Sequence, residues 1–174
     1  MNFFKVTENN WESSDFEELI GKIDSKSNEI VSEILRETKD KILYSILDCE
    51  SPIEMILALE MHRQDILNLG KLNGLDVVDV IKQERITAGG SKYRVDFLIP
   101  VWSKNLGRGA EFVIECNGHE FHEKTKEQVS RDNARQRKLT NAGYVVINFS
   151  GSEIYRDPRK CVSEIKDAIW SKFG

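Results

Sequence analysis

The sequence predicts an α/β fold: a mixed sheet flanked by helices, with a helical extension before it. Three observations predict it. Residues 14–48 and 51–70 carry apolar side chains at helical spacing. From residue 77 the texture changes to short alternating or apolar runs separated by glycine-bearing turns. Between 110 and 149 an apolar strand, a polar helix and a second apolar strand follow one another, which makes a right-handed crossover if the strands are parallel.

The elements follow in order. Ser14-Asp15-Phe16-Glu17 has the form of a capping box. Behind it Phe16, Ile20, Ile23, Ile30, Ile34, Leu35, Ile42 and Ile46 keep roughly helical spacing over 14–48, with room for one break. A second helix opens at Ser51-Pro52-Ile53-Glu54, with serine as N-cap and proline at the first helical position. It continues through Met55, Ile56, Leu59 and Ile66 to a stop at Gly70. Strands are expected over 77–85 and 92–101, joined around Ala88-Gly89-Gly90-Ser91. In the second of these Tyr93, Val95, Phe97 and Ile99 alternate with Arg94, Asp96 and Leu98. Residues 103–109 form a turn. Residues 110–117 form a third strand, apolar enough through Phe112, Val113 and Ile114 to be central. A helix over 125–142 ends at Gly143, a strand covers 144–149, and a closing helix covers 158–173. The domain reading is a helical extension over 1–50 and a core over 51–174, one structural domain overall.

At 174 residues, 40% hydrophobic and 31% charged, the chain reads as soluble and globular, with no apolar run near the ~20 residues of a membrane span. The start MNFFKVTENN has no signal-peptide core. Cys49, Cys116 and Cys161 are odd in number and scattered, as expected of reduced thiols in a cytoplasmic protein. The net charge of −4 is unevenly spread. Residues 1–70 hold 7 Lys+Arg against 15 Asp+Glu, and the remainder 18 against 14. Six bases fall between Lys124 and Lys138, a local cluster of the kind that attracts phosphates, or else a solvated helix face.

Asp96 and Glu115 stand at the polar ends of two expected strands. By parity Glu115 and Asn117 share a face and Cys116 points the other way. Ligands in crossover sheets commonly sit beyond the carboxyl ends of strands. Two carboxylates at such a point suit Mg²⁺, which takes one or two carboxylates, waters and substrate phosphate, and can lower the pKa of a bound water. The plainer reading pairs Asp96 and Glu115 with Arg94, Arg131 or Arg135. His119 and His122 follow the strand and could move protons near neutral pH. A Zn²⁺ site from Cys116, His119 and His122 is conceivable, but Cys116 should face away and no fourth ligand is evident. Glu54 is the acidic arm of a capping box, with a metal-bound water as a second use. Gln83 lies on the first strand and could hydrogen-bond near the site. Arg131, Asp132 and Arg135 occupy neighbouring helix faces, for phosphate contact or for pairing.

Taken in order, Ser51-Pro52-Ile53-Glu54, Gln83, Tyr93-Arg94-Val95-Asp96-Phe97, Glu115-Cys116-Asn117-Gly118-His119, His122, Arg131-Asp132, Arg135, Leu139 and Gly143-Tyr144 resemble the PD-(D/E)XK nuclease superfamily. The similarity is greatest to the branch related to very-short-patch-repair (Vsr-like) endonucleases and covers about residues 51–170. It implies a restriction-endonuclease-like α-β-β-β-α-β core and Mg²⁺-dependent cleavage of DNA, with Mn²⁺ as a substitute. Asp96 and Glu115 match the metal-binding acids, with the Cys116 backbone carbonyl beside them. Glu54 matches the acid of the first core helix, Asn117 falls where lysine usually stands, and His119 and His122 stand where this branch often has histidine. Lys124, Lys126, Arg131 and Arg135 would contact the DNA backbone. The expected activity is that of an endonuclease or nickase. The rival expectations are a catalytically weak nuclease-fold binding module and an RNA-directed nuclease. The N-terminal helices are the expected surface for a homodimer or a protein partner.

Overall fold

The computed structural model describes residues 25–118 and 125–174. The expected capping box at Ser14 and the helix over 14–24 lie outside the described residues. The chain divides into two compact units, residues 1–41 and 42–174. Among the described residues, no helix is long and apolar enough to cross a membrane.

Helix α1 spans Ser25–Ile46. Helix α2, Pro52–Arg63, starts as its sequence predicts: Ser51 is extended and its hydroxyl caps the Glu54 N–H at 3.4 Å, with Pro52 in the first turn. It stops well short of Gly70. Asp65 takes a left-handed conformation (φ 51°) after Gln64, and only the short 3₁₀ turn Ile66–Asn68 follows. The expected helix through Ile66 is thus corrected to one ending at Arg63.

One five-stranded sheet forms the centre. The single strand expected over 77–85 is two: β1, Leu75–Val77, and β2, Ile81–Ala88. Both pair antiparallel with β3, Ser91–Ser103. The pairing slips by one residue between them: Val77 faces Val101, whereas Ile81 faces Leu98. Pro100 lies in the gap and has no N–H to give, while its carbonyl accepts from Val78 at 2.9 Å. Gly89 and Gly90, both at positive φ, make the two-residue turn from β2 to β3. Strand β4, Arg108–Asn117, pairs antiparallel with β3 and parallel with β5, Val145–Ser150, so β4 is interior as its apolar run predicts.

Helix α3, Lys126–Asn141, connects β4 to β5 and opens on a reciprocal capping box between Thr125 and Gln128. After β5 comes a short helix absent from the sequence reading, α4, Gly151–Arg156, capped by Ser150 and Glu153. Helix α5, Pro158–Phe173, closes the chain.

The sheet is covered on both faces. Leu57 and Met61 of α2, with Ile165 and Ile169 of α5, pack on Phe97, Ile99, Phe112 and Ile114. On the other face Leu139 of α3 packs on Ile86, Val95, Leu98 and Val113. This assignment corrects the expected alternation on β3. Val95 belongs to the α3 face, but Phe97, two residues on, belongs to the α2 face. Its partner β2 changes phase at the same place, since both Ile81 and Ile86 face α3. Between them Gln83 has φ 54°, and the register leaves Gln83 opposite Asp96 with no pairing recorded there. The register is the same on either side, Lys82 with Phe97 and Glu84 with Val95, so the dislocation at Gln83 and Asp96 inserts no residue and turns both strands over together.

Candidate active site

The dislocation sits where β3 and β4 part. Their pairing ends at Phe97 and Ile114. One step further, Asp96 Oδ2 accepts the Cys116 N–H at 2.6 Å, so a carboxylate takes the place of a ladder bond. Within a strand the N–H and C=O of a residue face the same side, so the Cys116 carbonyl also looks toward Asp96. The parity argument for β4 holds. Phe112 and Ile114 are in the α2-side core with Cys116 packed against it, while Glu115 and Asn117 line a cavity on the α3 side. Val129, Asp132, Arg135, Gln136 and, from β5, Asn148 line the same cavity.

Three carboxylates converge on this fork. Glu115 is only 7% exposed and Glu54 6%. Burial raises the Glu115 pKa to about 7, against the lowering pull of Arg135, and the Asp96 charge adds to the rise. Asp96 is raised first by burial and then by Glu54, despite the N–H it accepts from Cys116. The Cys116 thiol is pushed well up, first by burial and then by Asp96, Glu54 and Glu115 in turn. One thiol that feels all three acids places them in a single electrostatic cluster.

Each acid is held differently. Glu115 Oε1 accepts from Arg135 Nη2 at 2.8 Å, and the same nitrogen donates to the Arg94 carbonyl at 2.5 Å. Arg94 itself forms a two-pronged pair with Glu50, both bonds 2.6 Å. The expected rival pairing therefore holds for Glu115 with Arg135, whereas Asp96 is bonded to a backbone N–H and Arg94 goes elsewhere. Glu54 Oε1 accepts from the Ser51 hydroxyl at 2.5 Å, and its Oε2 from the Glu50 N–H at 2.9 Å and Gln83 Nε2 at 2.7 Å. In a capping box this acid reaches the N-cap N–H; here it reaches one residue further back and is tied to β2.

Residues 76–169, more than half of the chain, match the family model REase_MTES_1575. The chain belongs to this restriction-endonuclease-like family. That places it among nucleases of the PD-(D/E)XK type at superfamily level. No curated protein and no solved structure matches it. The matched span contains Gln83, Asp96, Glu115, Asn117 and Arg135, while Glu54 precedes it.

The donor set fits a hard divalent cation supplemented by water. Among the described residues, no group of three or more His, Cys, Asp and Glu side chains is arranged to cage a metal. Mg²⁺ does not need one, since it keeps several waters and takes one or two carboxylates. A buried and a half-buried carboxylate, Glu115 and Asp96, both with raised pKa values, form a pair that a cation would relieve. Gln83 adds an oxygen: its Oε1 is buried and has no hydrogen-bond partner among the described residues. Zn²⁺ fits poorly, because the Cys116 thiol packs toward the α2-side core and holds its proton strongly.

His119, His122 and Lys124 lie outside the described residues. Lys126 and Arg131 are exposed on α3, whereas Arg135 turns inward to Glu115. Two residues carry more than their sequence suggested. Gln83 was a weak candidate, and nothing in its neighbours signals a positive φ. Asn148 went unnoticed, although an amide inside the apolar run Val145–Phe149 is a readable signal; it pairs in register with Glu115.

Proposed function

We propose that this protein is a Mg²⁺-dependent DNA endonuclease or nickase, with Mn²⁺ as an effective substitute, related to the Vsr-like branch. The observation that carries the reading is the pair of raised-pKa carboxylates, half-buried Asp96 and buried Glu115, where β3 and β4 separate. In this reading Asp96, Glu115 and the Cys116 carbonyl would hold the cation, whose chemistry when bound would be to lower the pKa of a water and polarise the phosphate. Glu54, fixed by Ser51, Glu50 and Gln83, orients a water at the edge of the site. Asn117 presents a neutral amide to the cavity. It cannot carry charge or take a proton, so His119 or His122 has the proton-transfer role. Lys124, Lys126, Arg131 and Arg135 hold the phosphate backbone. A homodimer or a protein partner through the N-terminal helices belongs to the same proposal.

The test is plasmid cleavage in Mg²⁺ or Mn²⁺ by the wild type, Asp96→Asn and Glu115→Gln. Nicking or linearisation by the wild type and its loss in both variants is expected. Equal cleavage by all three would mean a contaminant and sink the site. No cleavage by the wild type, with DNA still bound, would favour the binding module. Preference for an RNA substrate would redirect the activity.

A further inference from the structure

We propose that Arg135 is the phosphate-charge stabiliser of this site, delivered from α3 rather than from β4; the inference rests on the nuclease reading above. Phosphoryl transfer develops negative charge on the phosphate oxygens, and catalysis is mostly positioning and electrostatic stabilisation of that charge. A cation aimed at the phosphate is therefore needed beside the metal ligands. Position 117, next to Glu115 on the cavity face of β4, supplies none. Among the described residues that line this cavity, Arg135 alone is basic.

The guanidinium is pre-positioned for the role. It is anchored through Nη2, whose two N–H groups go to Glu115 Oε1 and the Arg94 carbonyl. Its carbon lies 5.7 Å from the centre of the Tyr93 ring. Nη1 and Nε have no hydrogen-bond partner among the described residues, and the side chain is 33% exposed. An arginine used only to pin α3 to the sheet needs no open edge. One that must donate to phosphate oxygens does. Asn117 and Arg135 line one cavity, so a cation introduced at 117 would serve the same spot.

The experiment compares wild type, Arg135→Gln, Arg135→Lys and Arg135→Gln/Asn117→Lys by plasmid cleavage in Mn²⁺. In parallel, binding to a short duplex in Ca²⁺ is followed over a salt series, with thermal melts to check folding. Arg135→Gln is expected to cleave about 10²–10³-fold more slowly, the usual cost of losing one stabilising donor. The slope of log affinity on log salt should shrink by about one, the share of a single phosphate contact. Asn117→Lys in that background should restore much of both. A folded Arg135→Gln with wild-type rate and slope overturns the proposal. So does a loss that Asn117→Lys does not mend, because the arginine would then be a structural pin. If Arg135→Gln does not fold, Arg135→Lys decides: it keeps the charge, so the proposal is overturned by a folded lysine variant that loses both the cleavage rate and the salt slope as fully as a neutral residue would. A wild type that binds but never cleaves defeats the enzymatic reading alone, and the salt slopes still decide the fate of Arg135.

Discussion

Glu115 should make the metal-free protein less stable as pH rises, and Glu115→Gln should remove that penalty. The carboxyl is 7% exposed, and its pKa rises from the ordinary 4.5 to about 7 in the fold. A raised folded pKa means that the native state binds the proton more tightly than the unfolded chain. The group's favourable contribution is complete below 4.5 and is lost as pH climbs through 7. At 1.36 kcal/mol per unit the loss is about 3 kcal/mol. The ion pair with Arg135 does not reverse the sign, since burial outweighs it. Glutamine keeps an oxygen for Arg135 Nη2 and never ionises.

The measurement is urea unfolding from pH 4.5 to 8.5 with chelator present, for wild type and Glu115→Gln. The stability difference should be small at the acid end and grow to about 3 kcal/mol in favour of the variant above pH 7. Asp96 shares the same fork and its pKa is also raised, so the profile belongs to a coupled pair and will be broader than a single titration. Parallel profiles would refute the reasoning: Glu115 would then ionise in the fold as easily as in water. Adding Mn²⁺ at pH 8 should stabilise the wild type and leave the variant nearly unmoved, because a ligand that binds only the native state adds to its stability.

Substitutions at two further positions test the frame that holds the site. Gln83→Gly should be about 1 kcal/mol more stable than Gln83→Ala in urea unfolding, since a left-handed residue with a Cβ costs roughly that much; equal stability would remove the strain assigned to φ 54°. Leu139, the buried anchor of α3, should cost about 2–5 kcal/mol when changed to alanine. A loss under 1 kcal/mol would mean that α3, and Arg135 with it, is held by something other than this contact.

Much of this arrangement was legible in the sequence because it follows from local rules. Ser51-Pro52 sets the start of α2, Gly89-Gly90 the hairpin, and the period of two puts Glu115 with Asn117 away from Cys116. The failures share a physical cause. Asp65 and Gln83 adopt positive φ without being glycine, and neither residue type announces it. One ends α2 early and the other reverses the faces of two strands. The split between β1 and β2 depends on Pro100, whose missing N–H acts across the sheet on residues some twenty positions earlier. Helix α4 is different, because Ser150-Gly151-Ser152-Glu153 is a capping box readable from local sequence alone.

The strand dislocation and the acid cluster belong together physically. A regular β3 with unbroken alternation would put Asp96 on the face opposite Val95 and Phe97, within a continuous ladder. The turnover of both strands at this step lets Val95 and Phe97 fill opposite cores, so both faces stay packed up to the site. It also ends the β3–β4 ladder at Phe97 and leaves the Cys116 N–H for the Asp96 carboxylate. The cost is visible in three places: a glutamine at positive φ, a buried amide oxygen without a partner among the described residues, and two carboxylates hard to ionise. All three concentrate on one fork, while β3 and β4 are regularly paired from Phe97 to Ser103. A fold that needed only stability would replace Glu115 and Asp96 with apolar side chains and close the ladder. Retaining them, at a cost that Arg135 and the Cys116 N–H only partly offset, accords with the proposed function, in which a cation and a phosphate would complete the site.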